Sequence, residues 1–112
     1  MGLIQFPFKD SQRLRKSIEF ERVYQQGKRN STGPFLIYSV ANDFGYSRLG
    51  VSIPKRVGNA VKRNAIKRRC REAFRLNSAS LPDSIDIVIN VRPHDVMSMK
   101  EYAALIVLGL KR

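Results

Sequence analysis

The chain has one cysteine, one histidine, no tryptophan and only nine acidic residues among 112. Cys70 alone closes no internal disulfide, and with His94 as the single imidazole no Cys/His group has metal-ligand spacing. The same scarcity bears on catalysis. Metal-dependent phosphodiester cleavage needs clustered carboxylates. The nearest approach, Asp83, Asp86 and Asp95, flanks an apolar segment in no recognisable pattern. Metal-free RNA cleavage uses positioned acid–base groups, typically histidines, and His94 lies in a Pro-flanked loop where an exposed polar residue is expected. No glycine-rich phosphate loop of the GxxxxGK(S/T) or GxGxxG kind occurs. No apolar run approaches the roughly 20 residues of a membrane span. The amino-terminal MGLIQFPFKD lacks a basic region before its short apolar run, and Phe6 stands where a myristoylation signal wants Ser or Thr. By elimination, the expectation is a cytoplasmic protein with no membrane partner, no small-molecule substrate and no catalytic residue of its own.

What the chain does have is positive charge: 21 Lys and Arg, for a net +12. Such an excess draws polyanions over long range. It is concentrated in Lys55–Arg75, KRVGNAVKRNAIKRRCREAFR, where Glu72 is the only acid. At 3.6 residues per turn, Asn64, Lys67, Arg68, Arg71 and Arg75 fall on one face, flanked by Lys62, Arg63 and Arg69. Ile66, Cys70, Ala73 and Phe74 fall roughly opposite, so the stretch reads as a folded helix with an apolar seam rather than a disordered basic tail. Cys70 on that seam is expected to be a buried small hydrophobe. Regularly spaced cations position a nucleic-acid backbone without choosing bases.

The rest of the chain reads as one domain over 1–112, long enough to bury a core. Residues 1–16 read as an extended arm ending in Arg13, Arg15 and Lys16. Ser17 is the expected N-cap of a helix running to Gln26, with Gly27 just past its end and Phe20, Val23 and Tyr24 on one stripe. Lys28–Thr32 suits a polar edge strand before the Gly33-Pro34 turn. Phe35–Val40 reads as a strand with Phe35 and Ile37 on one side and Leu36, Tyr38 and Val40 on the other. Asn42–Gly45 has the chemistry of a hairpin turn. Arg48–Ile53 alternates, Leu49, Val51 and Ile53 inward against Arg48, Gly50 and Ser52 outward. After the basic helix, Ile85–Val91 reads as a strand, and Ser98 with Glu101 forms a capping box opening a last helix. The predicted class is α+β: a small two-layer α-β sandwich of order αβββαβα with a mixed, mostly antiparallel sheet. Helices are expected on one face, leaving aromatics on the other as candidates for stacking on unpaired bases.

The run GNAVKRNAIKRRCREAFR resembles the signature of the bacterial ribonuclease P protein subunit, as do Phe20 and Tyr24 after a basic start, FLIY, RLGVSI and the Lys-Arg-Val-Gly-Asn lead-in. The resemblance covers roughly Arg13 to Val91. It implies a subunit that joins a catalytic RNA to remove the 5′ leader of precursor tRNA, with chemistry residing in the RNA and its magnesium and no cofactor bound by the protein alone. It further implies that Phe20, Tyr24 and Tyr38 line a leader cleft, that Lys62, Arg63, Asn64, Lys67, Arg68, Arg71 and Arg75 make the signature-helix contacts, and that Arg13, Arg15, Lys16, Lys55 and Arg56 add basic contacts. A left-handed β-α-β crossover through the basic helix is implied by resemblance only. One departure stands inside the signature: Ala65 replaces the second arginine of the usual Arg-Asn-Arg. The alternative reading is a ribosomal or other structural nucleic-acid-binding protein without a role in cleavage.

Overall fold

Ile85–Val91 is buried along nearly its whole length, and it takes the inside of the sheet. In the computed structural model, which describes residues 10–111, this strand is β4. Antiparallel β2 (Phe35–Ala41) lies on one side of it and parallel β3 (Arg48–Ser52) on the other. The polar strand β1 (Lys28–Thr32) pairs antiparallel with β2 and forms the outer edge, giving the order β1-β2-β4-β3. Lys28–Thr32 can occupy an edge because it has little apolar surface to hide. Gly33, at φ 55°, makes the tight turn into β2.

The three helices are α1 (Ser17–Gln26), α2 (Ala60–Leu76) and α3 (Met99–Gly109). Helices α2 and α3 cover one sheet face. Ile66, Cys70, Ala73 and Phe74 of α2 and Tyr102, Ala103 and Ile106 of α3 join Phe35, Ile37, Leu49, Ile87, Ile89 and Val91 in the main core. Ser98 opens α3 as a capping box, its Oγ accepting from Glu101 N at 3.1 Å while Glu101 Oε1 accepts from Ser98 N. Near its end Gly109 lets α3 approach the sheet, because a Cβ there would lie 2.5 Å from Ile37 Cδ1.

Several expectations change. The Asn42–Gly45 turn does not close a β2–β3 hairpin: β4, buried on both faces, inserts between those strands and takes a central slot. Nor do all helices share one face. Helix α1 lies on the other, where Val23 packs with Leu14 and Val88 beside Phe20, Tyr38 and Val40. The N-cap of α1 is Lys16, not Ser17. An ammonium accepts nothing, so Glu19 holds this end by accepting from Lys16 N at 3.2 Å and Arg15 N at 3.4 Å. Gly27 ends α1 in an extended conformation; a Cβ there would lie 2.5 Å from the Val23 carbonyl oxygen. Of the segment expected as an arm, Asp10–Gln12 form a 3-10 turn, while Arg13 bridges to Leu49 and Leu14 N donates to the Leu49 carbonyl, covering the β3 edge. Residues 1–9 lie outside the described region. His94 is half-buried rather than exposed: Nδ1 lies 2.7 Å from the Arg92 carbonyl and Nε2 2.7 Å from the Tyr102 hydroxyl. A carbonyl only accepts, so Nδ1 carries a proton and donates it to Arg92.

One ionic cluster pins α1 to the sheet. Asp86, fully buried near the start of β4, accepts from Arg48 Nε at 2.8 Å and Nη2 at 2.7 Å, from Arg22 Nη1 at 3.0 Å and from Asn42 Nδ2 at 2.8 Å. Arg48 Nη1 also reaches Glu19 at 2.9 Å, and Arg22 Nη2 reaches the Ala41 carbonyl. Burial alone would raise the Asp86 pKa. Hydrogen bonds from Arg48 and Asn42, with the charges of Arg48 and Arg22, outweigh burial and hold it below the ordinary aspartate value. A depressed carboxylate contributes stability above its unfolded pKa, and that stability is lost as pH falls through the folded value. Urea unfolding is therefore expected to show Asp86→Asn destabilised by about 3 kcal/mol or more at neutral pH, the gap to wild type narrowing in acid. A loss below about 1 kcal/mol would mean the cluster is dispensable.

Candidate nucleic-acid interface

Helix α2 begins where Asn59 Oδ1 accepts from Lys62 N at 2.8 Å, after the 3-10 turn Lys55–Val57. From there the seam residues face the sheet, and the opposite side carries the cations. Asn64, Lys67, Arg68 and Arg71 line one open groove of about 500 Å³ together with Glu72 and with Arg13, which arrives from the segment on the β3 edge. Arg71 sits among its own kind. Its partial burial, then the nearby guanidiniums of Arg13 and Arg15, hold its pKa below the ordinary arginine value. An arginine stays charged regardless, so what this crowding reports is a strongly positive local field.

Other expected contributors are placed differently. Arg75 gives Nε and Nη2 to both Glu72 oxygens at 2.7 and 2.9 Å, a spacing of three residues that suits such a pair, and it does not line the groove. Arg63 donates Nε to the Gly58 carbonyl at 3.0 Å, and Arg69 donates Nη1 to the Met97 carbonyl at 2.7 Å, tying α2 to the segment before α3. Lys62 is half-buried over Gly58, while Lys16, Lys55 and Arg56 are exposed outside the groove. Ala65, half-buried, is likewise absent from the groove lining. Burial pushes the Cys70 thiol up to about 12, as befits an inert core residue.

The three aromatics come together on the face that carries α1. Phe20 and Tyr24 have ring centroids 6.4 Å apart, and Tyr24 meets Tyr38 edge-on at 4.9 Å. Phe20 fits because position 50 is glycine: a Cβ there would lie 2.5 Å from its ring and 3.1 Å from Leu14 Cβ. Leu14 thus sits at the cleft while its neighbour Arg13 sits at the groove, so one dipeptide joins the two surfaces. Tyr24 donates its hydroxyl to Asn90 Oδ1 at 2.8 Å. Asn90, Ser52 and the Asp86 cluster were not singled out in the sequence. Their signal was the alternation of β3 and β4, whose even-numbered residues turn to the α1 face. Among the described residues no three of His, Cys, Asp and Glu gather as a metal site, and no helix is long and apolar enough to cross a membrane.

A basic helix, an aromatic cleft and no acid cluster describe an RNA-binding scaffold; comparison with known proteins gives the family. Residues 8–111 match the family model described as Ribonuclease P. The chain belongs to the ribonuclease P protein family. The ribonuclease P protein component of Syntrophus aciditrophicus is 47% identical over 92 residues, 82% of this chain and 76% of that protein. The solved ribonuclease P protein of Thermotoga maritima superposes with TM-score 0.77 at 29% identity, covering 86% of this chain and 92% of that one. The Staphylococcus aureus protein gives 0.76 at 31%, covering 88% and 92%. The chain is accordingly a subunit of a tRNA-processing endoribonuclease, and its α+β fold with a mixed four-stranded sheet is that of the ribonuclease P proteins.

Exposed Arg68 can be removed without disturbing the seam. Arg68→Ala is expected to lower RNA affinity and reduce the salt slope by about 0.7–0.9, with stability unchanged within about 0.5 kcal/mol. Titrations at several salt concentrations beside a urea melt check this; a stability loss with unchanged affinity would place Arg68 in the fold instead.

Proposed function

We propose that the chain grips the catalytic RNA of ribonuclease P with the α2 groove and guides the 5′ leader of precursor tRNA along the aromatic cleft, while the RNA performs the cleavage. The single observation that carries this reading is the adjacency at Arg13–Leu14: Arg13 lines the cationic groove, and buried Leu14 packs with Phe20 under the row of rings. Lys67, Arg68, Arg71 and Arg13 would neutralise phosphates, and Phe20, Tyr24 and Tyr38 would offer faces to unpaired bases, whose stacking tolerates many sequences.

Magnesium belongs with the RNA in this reading. Asp86, the one buried carboxylate among the described residues, has its oxygens taken by Arg48, Arg22 and Asn42, and the groove offers Glu72 beside four cations. Such a donor set does not suit a hard divalent ion. The chain's own contribution is binding and orientation: cations offset phosphate repulsion as the RNAs approach, and the cleft holds the leader against lateral motion.

Adding the protein to a ribonuclease P RNA at low magnesium is expected to restore 5′ maturation; no recovery would favour a structural nucleic-acid-binding role. In competition binding, Phe20→Ala should weaken leader-bearing tRNA by about 1 kcal/mol or more relative to mature tRNA. Equal losses for both would return Phe20 to the core.

A further inference from the structure

The polar strand β1 is an edge of the sheet, and the hydrogen-bond ladder shows which of its groups are free. Arg92 N donates to the Pro34 carbonyl and Asn42 N to the Ser84 carbonyl, so the even-numbered positions of β2 bond to β4. The odd-numbered Phe35, Ile37 and Ser39 therefore bond to β1, through Thr32, Asn30 and Lys28. Arg29 and Ser31 are left with N–H and C=O groups turned outward, and no described residue bonds them. The opposite edge, along β3, is covered by Arg13 and Leu14. Two features beside the β1 edge give it a chemistry. Asn30 donates Nδ2 to the Gly109 carbonyl at 2.7 Å, so Lys28 and Asn30 turn their side chains towards the end of α3. There Lys28 and Lys111 share a cavity of about 260 Å³, whose lining includes Val40, Ile85 and Leu110 and no acid. At the other end of β1, Leu105 lies against Gly33, and Leu108, one turn on from Leu105, is 55% exposed.

We propose that the free edge of β1 takes up an extended acidic segment of a partner protein, which adds to the sheet as an outer strand. Its backbone pairs with Arg29 and Ser31, while its inward side chains set an apolar group on Leu108 and a carboxylate between Lys28 and Lys111. Charge selects this occupant. Cations on an edge guard it against a like-charged strand, and a second copy of this chain would bring its own Lys28 and Arg29 and a further net +12. The same cations attract an acidic strand. The site shares no lining residue with the α2 groove, so protein and RNA can be held together.

The test titrates the full chain with a labelled, end-capped peptide of about eight residues built from valine, threonine and glutamate, and with its counterpart carrying lysine for glutamate. The acidic peptide should bind about ten-fold tighter, the worth of two exposed ion pairs made rather than opposed. Hydrogen exchange should slow at the amides of Arg29 and Ser31. Ser31→Pro removes one outward donor without touching the bonds to β2, and should weaken the acidic peptide about five-fold. Lys28→Glu should bring the two peptides level, a second readout should the proline disturb β1. Equal binding of both peptides by wild type, or binding that survives unchanged in both variants, overturns the proposal. Binding lost in Arg68→Ala instead would put the peptide in the α2 groove and overturn it too. So would slowed exchange at Arg29 and Ser31 that grows with protein concentration alone, which would make a second copy the occupant.

Discussion

The geometry of the cleft depends on one buried carboxylate. Helix α1 carries Phe20 and Tyr24, yet Val23 is its only fully buried side chain. Burying one such residue contributes about 1.5–3 kcal/mol, little to hold a ten-residue helix at a defined distance from a sheet. Asp86 supplies the rest by gathering Arg22 from α1, Arg48 from β3 and Asn42 from the end of β2, while Arg48 passes on to Glu19 at the start of α1. A buried pair of this kind is costly to desolvate and costlier to break, so it fixes the position of α1 on the sheet.

That arrangement also explains how a chain with nine acids against 21 cations folds around a positively charged surface. The acids are placed where a guanidinium serves the fold: Asp86 and Glu19 on Arg48 and Arg22, Glu72 on Arg75. In the groove the balance is different. Arg71 is crowded by Arg13 and Arg15 and shares its concavity with Lys67 and Arg68. The folded chain carries this repulsion until a polyanion offsets it, so RNA binding should stabilise the fold by mass action.

Much of this was legible in the sequence because periodicity reports burial. The seam of α2, the two sides of β2 and the capping box at Ser98 all follow from spacing alone. What could not be read was which strand neighbours which. A turn-like Asn42–Gly45 invites a hairpin, but strand order is settled by which segment the helices on both faces come to bury, a comparison across the whole chain. The same ambiguity hid Asp86 and Asn90: alternation marks them as facing away from Ile87 and Ile89, and only the position of α1 makes that side a cleft. Arg75 is a different case: the helical wheel puts it on the basic face and does not show that it pairs with Glu72 three residues away.

The most direct measurement places a tethered RNA-cleaving reagent on the protein inside the assembled ribonucleoprotein with precursor tRNA. Cys70 is buried with its thiol pKa near 12, so a cysteine introduced at Tyr24 or Arg68 would react selectively. From position 24 the cuts should fall in the 5′ leader, and from position 68 in the catalytic RNA. Cuts from position 24 confined to the body of the mature tRNA, or no leader cuts at all, would contradict the account.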